Sequence, residues 1–154
     1  MADRSTLKNN LRYHRIVVIC IVMASIWGTY EFTKPVNTHK NGQQKVSGQH
    51  VNGKDEGLWT WFYENGKKQM QGNFVHGQRS GVWTLWDSSG NKLSESIYEG
   101  DKLNGKFTRW GASGVMESEG TYANDELQGE VIYYNADGTL KEKKNFSNGV
   151  EQLQ

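Results

Sequence analysis

The chain has little cysteine and little proline: Cys20 and Pro35 are each the sole example in 154 residues. A lone cysteine excludes an internal disulfide and a cysteine-based metal cluster. With that residue inside an apolar run, cysteine usage does not reveal the redox compartment. The scarcity of proline stands beside 18 glycines and many aromatics. Proline would delete ladder donors and glycine supplies positive φ in turns, so this balance suits a succession of tight hairpins. Charge of one sign is also lacking overall, at +1, but it is unevenly distributed. Residues 1–40 carry six Lys/Arg against two Asp/Glu, whereas residues 57–152 carry ten against thirteen. An acidic region of that size will not track a phosphate backbone, which argues against nucleic acid as a partner.

What is present is a period. Gly57, Gly81, Gly105 and Gly129 stand 24 residues apart. Trp59, Trp83, Phe107 and Val131 follow two residues later, and Phe62, Trp86, Trp110 and Tyr134 five later. A second set of glycines, Gly66, Gly90, Gly114 and Gly138, falls nine after the first. Phe74, Tyr98, Tyr122 and Phe146 close the units. A fixed period of this length marks a repeat array in which each unit leans on its neighbours.

Within a unit, positions 2–7 are rich in aromatic and β-branched residues and favour a strand. Positions 8–10 (ENG, SSG, ASG, ADG) place a turn former before glycine. A second strand ends in the closing aromatic, and a second polar turn leads to the next unit. Counting back by one period places Gly42, Gly48 and Gly53 in a preceding half unit. The fold class is all-β: an elongated single-layer antiparallel meander of about four and a half stacked hairpins, or roughly nine strands at the usual spacing. Side-chain alternation assigns positions 4 and 6, with the closing aromatics, to one face. Trp59, Trp61 and their equivalents then take the other. The last unit, with Val131 and Lys144 in place of an aromatic and a glycine, reads as a terminal cap.

The one long apolar run is N-terminal. Ile16–Tyr30 has no charge and includes Ile16, Ile19 and Ile26. Its fifteen residues span about 22 Å as a helix, short of a bilayer core of about 30 Å. Flanking groups make up the difference: Arg12 and Arg15 snorkel to one interface, and Trp27 and Tyr30 sit at the other. The expected organisation is a basic cytoplasmic N-terminus (1–15), a transmembrane anchor (16–30), a linker (31–41) and a repeat domain (42–154). The positive-inside rule places the repeats on the extracytoplasmic side. The competing reading is a cleaved signal peptide, leaving a secreted repeat domain.

The pattern G-x-W-T-x-W-x-x-x-G-x-K followed by G-x-[FY]-x-x-G resembles MORN repeats. The 24-residue unit and the segment ENGKK…GNF of the first unit resemble the bacterial MORN-variant repeats, which are often labelled an antitoxin component. The resemblance covers residues 39–152 and implies a hairpin-repeat fold used as an interaction surface. The later units depart from the pattern, with Ser96 and Lys144 replacing a glycine and Asp101 and Asp125 standing where Gly77 and Gly149 stand.

No catalytic constellation is legible. The four histidines, His14, His39, His50 and His76, are scattered, and a metal site needs three or four convergent ligands. No catalytic residue, metal or cofactor is expected, and no small-molecule substrate. The periodic rings serve first to hold the sheet. Trp61 and Tyr63 have no aromatic equivalent in the later units apart from Tyr133, and they are the candidate partner contacts, because Trp and Tyr are enriched at binding hot spots. The expected function is non-catalytic: a membrane-anchored protein–protein interaction scaffold, an accessory or assembly subunit of a larger membrane complex. The alternatives are a carbohydrate- or choline-binding surface array and, by family label, an antitoxin-like binding protein.

Overall fold

The computed structural model describes residues 37–153. The expected anchor, with Arg12, Arg15, Ile16, Ile19, Ile26, Trp27 and Tyr30, lies outside the described residues. Among the described residues no helix is long and apolar enough to cross a membrane.

The described residues form one antiparallel sheet of eleven strands. They are β1 (Val46–Val51), β2 (Lys54–Phe62), β3 (Lys68–Val75), β4 (Gln78–Trp86), β5 (Lys92–Glu99) and β6 (Lys102–Trp110). Then follow β7 (Met116–Ala123), β8 (Glu126–Leu127), β9 (Gly129–Tyr134), β10 (Leu140–Ser147) and β11 (Val150–Gln152). Each strand pairs with its neighbours in sequence except at β8 and β9, which do not pair with each other and both pair with β7. The count exceeds the expected nine for two reasons. Gln128 divides one strand into β8 and β9, and the last turn is followed by β11. The half unit also begins earlier than expected. Thr38 bridges to Gln44, and Lys45 N donates to Asn37 O, so residues 37–41 belong to the first turn of the sheet.

Two turn types alternate along the chain. At one edge lies a three-residue loop with a glycine bulge. In the first full unit Tyr63 N donates to Lys67 O (2.8 Å) and Gly66 N to Tyr63 O (3.0 Å), with Gly66 at φ +79°. At the other edge lie two-residue turns in which both residues have positive φ, such as His76–Gly77 (+54°, +86°) and Asn124–Asp125 (+50°, +72°). These are the mirror-image turns that match strand twist. Asp101 and Asp125 therefore keep the backbone of the glycine they replace, a conformation Asp tolerates better than most residues.

The core is a single row. Among the described residues the buried hydrophobic ones are Trp59, Trp83, Phe107 and Val131. Each stands against position 16 of the preceding unit. A Cβ on Gly48 would overlap the Trp59 indole, and one on Gly72 would overlap the Trp83 indole. Ser96, where glycine was expected, pairs with the smaller ring of Phe107. Gly120 accommodates both Phe107 and Val131, whose nearest carbons would lie 2.9 Å from an added Cβ.

This packing corrects the expected faces. Trp59 is opposite Gly72 and Trp61 is opposite Met70, so the closing aromatic Phe74 shares the face of Trp59 and Trp61. It does not join Phe62. A bulge next to the loop pairs Phe62 with Lys68 and skips Gln69, which reverses the parity obtained from a simple hairpin count. The opposite face carries Thr60 and Thr84, both buried, with the position-6 rings.

Candidate functional site

Rings of the packed face form a run through the first half of the sheet. His50, Trp59, Trp61, Phe74, Trp83 and Tyr98 are linked pairwise at centroid separations of 5.0–6.4 Å. The tilted and edge-to-face geometries are those that aromatic quadrupoles favour. Trp83 Nε1 donates to Asn73 O at 3.2 Å. Beyond Tyr98 the run stops, and Phe107–Tyr122 (4.9 Å) forms a separate pair. The break falls where Leu85 replaces the ring of Trp61. There a cavity of about 150 Å³ opens, lined among others by Met70, Arg79, Trp83, Leu85 and Tyr98. Its rim is fixed by charge. The Arg79 guanidinium lies 4.1 Å from the centre of the Tyr98 ring. Its Nε donates to Asp101 Oδ1 at 3.1 Å, and its Nη2 donates to Asp101 O at 3.0 Å. The bonds from the Arg79 backbone amide and side chain hold the Asp101 carboxyl below its usual range.

The candidate contact residues have internal duties. Trp61 belongs to the aromatic run and keeps an exposed portion. Tyr63 donates from its hydroxyl to Trp86 O at 2.8 Å, tying one loop to the next. Tyr63 is also a repeated feature, because His39, one period earlier, bonds through Nε2 to Phe62 O (2.8 Å). Asn41 and Asn65 add parallel bonds to Glu64 O (2.6 Å) and Ser88 O (2.7 Å). The spacing of Asn41 and Asn65 was a signal for this bridging that composition alone hides.

On the opposite face, lysines cover the periodic rings. Lys68 Nζ is 5.7 Å from the Trp86 ring centre, and Lys92 Nζ is 5.7 Å from that of Trp110. Such contacts lie within cation–π range. Tyr134 donates to Glu119 Oε1 at 2.7 Å, a bond that raises the phenol's pKa. The periodic glycines hold structural places. Gly57, Gly81, Gly105 and Gly129 have positive φ at the unit boundaries, and Gly66, Gly90, Gly114 and Gly138 have it in the loops. Among the described residues no group of three or more His, Cys, Asp or Glu side chains is placed to hold a metal ion.

Met70, Arg79 and Leu85 were not singled out by sequence, and Tyr98 only as a closing aromatic, because their juxtaposition depends on the bulge that sets the faces. No curated protein matches the chain. Residues 55–76, 103–124 and 127–148 match the family model described as MORN repeat variant; the unit between the first two matches shares their strand register. MORN repeats are a non-enzymatic module, commonly used for interaction with proteins or membrane lipids.

Proposed function

We propose that this chain is a non-catalytic interaction module that docks a protein partner on the aromatic face of its first two full units. The observation that supports this reading is the cavity of about 150 Å³ beside Leu85, lined by Trp83, Tyr98 and Arg79, next to the half-exposed ring of Trp61 in the same aromatic run. Trp, Tyr and Arg dominate binding hot spots, and a recess bordered by them suits one apolar anchor side chain. Thin repeat sheets suit contacts of this kind, with the partner supplying the second layer that a single sheet lacks.

The apolar run Ile16–Tyr30, with Arg12 and Arg15 before it, would hold the module beside a membrane with the repeats on the extracytoplasmic side. The partner would then be a membrane or membrane-associated protein, and the chain an accessory or assembly subunit. A carbohydrate or choline array has less in its favour, because lysines of the chain already cover Trp86 and Trp110. The antitoxin reading rests on the family label alone.

The test is purification of the full chain from gently solubilised membranes, followed by mass spectrometry. One stoichiometric protein partner is expected, lost when Trp61→Ala and Leu85→Asp are combined. Recovery of the chain alone, or a partner retained by the double variant, would overturn the reading.

A further inference from the structure

A second recess lies at the loop edge between the last two full units, away from the aromatic run. Its volume is about 500 Å³, and its walls include Gly111, Met116, Glu117, Tyr134 and Lys141. It opens where two repeated contacts fail together. At the first two junctions a ring from position 7 (His39, Tyr63) bonds to the next unit's position-6 carbonyl. Position 7 of the third unit is Gly111, which has no side chain to send across to Tyr134 O. Position 12 differs as well. Lys68 and Lys92 cover the next unit's ring, but Met116 stands in their place, and no cation of the described residues covers Tyr134.

What fills the gap is negative. A Cβ on Gly111 would meet Glu117 Oε1 at 2.7 Å, so the carboxylate stands where a position-7 side chain would begin. No Lys, Arg or His of the described residues forms an ion pair with Glu117. Lys141 lies on the rim, and its charge works against a cationic occupant. The recess therefore combines a carboxylate, an aromatic ring without its usual cation, the neighbouring loop's carbonyl edge and a polarizable thioether. A planar cation with several donors fits that set, because guanidinium stacks on rings and pairs with carboxylates at once.

We propose that the recess between the loops at Gly111–Gly114 and Asn135–Gly138 binds an arginine side chain of a protein partner. The guanidinium takes the place that Lys68 and Lys92 fill at the earlier junctions. This site is independent of the aromatic face, so either can fail without the other.

The test is NMR titration of the full chain in detergent micelles with N-acetyl-arginine amide, using N-acetyl-citrulline amide as the neutral isostere. Saturable shifts at the amides of Gly111, Glu117 and Tyr134 are expected, with a dissociation constant on the order of millimolar for a single side chain. Citrulline amide should bind about tenfold more weakly. Met116→Lys restores the lysine of the first two full units and should abolish the shifts without lowering the melting temperature. Lys141→Ala should tighten binding. Equal responses to the two amides, or unchanged binding in Met116→Lys, would overturn the proposal. Should Met116→Lys fold poorly, Glu117→Gln serves instead, and full retention of arginine binding there would overturn it equally.

Discussion

The first and second halves of the sheet share a backbone and differ in almost everything attached to it. The backbone thread is the same throughout. Gly77 N donates to Asp55 O, Asp101 N to Arg79 O, Asp125 N to Leu103 O and Gly149 N to Leu127 O, all at 2.9–3.1 Å. The side chains diverge. In the first half six rings are linked in one run, and His39 and Tyr63 tie successive loops together. In the second half the core residue shrinks from Trp to Phe to Val, and the loop edge opens. On the reverse face Leu58 and Val82 are more than half exposed, while the equivalent residues later are Lys106 and Glu130. Geometry here is a property of turns, bulges and backbone bonds. Side-chain chemistry is left to vary from one end of the array to the other.

That contrast is open to direct attack. The largest effect is expected from Trp83→Ala, at about 3–5 kcal/mol in chemical denaturation, because a buried indole is removed from the middle of the run. Val131→Ala should cost clearly less; a comparable loss would mean that both halves rely equally on their core. Next comes Gly72→Ala, whose added methyl collides with the Trp83 indole. A destabilisation of about 1–3 kcal/mol is expected from overpacking, whereas Ser96→Ala should stay within about 0.5 kcal/mol. Tyr63→Phe removes the loop bond to Trp86 O and should cost about 0.5–1.5 kcal/mol. Tyr122→Phe, whose hydroxyl has only a 3.5 Å contact with Arg109, should be nearly neutral.

The smallest effect is that of pH. The Asp87, Asp101 and Asp137 carboxyls are held below their usual range, by bonds from Asn91, Arg79 and Thr139 respectively. A depressed native pKa contributes stability above the unfolded value of about 4, and that contribution is lost as pH falls through the native value. The melting temperature should therefore decline below about pH 4. Asp101→Asn should flatten part of that decline, and an unchanged profile would remove Asp101 from the account.

Much of the fold was legible because its determinants are local and recur. Glycines mark the backbone positions with positive φ, and the same count fixes unit length, turn positions and the half unit around Gly42, Gly48 and Gly53. The assignment of faces failed because a bulge carries no residue signature of its own. Skipping Gln69 changes which neighbours Phe74 meets, and periodicity does not register the skip. The loop bond of Tyr63 was not legible for a related reason. Its equivalent in the half unit is a histidine, so a search for repeated aromatics passed over a repeated donor. The recess beside Gly111 is a missing side chain, legible only once its filled counterparts are known.

The core fit of position 3 into position 16 has a further consequence for how such a chain can change length. Every boundary between units repeats the same connection, so removing or duplicating a whole block of 24 residues joins like to like and leaves all pleats in phase. Inserting a single residue within β4 would instead turn Trp83 to the reverse face and aim another side chain at Gly72. The molecule can be cut or lengthened like a measuring tape, but only at its graduations.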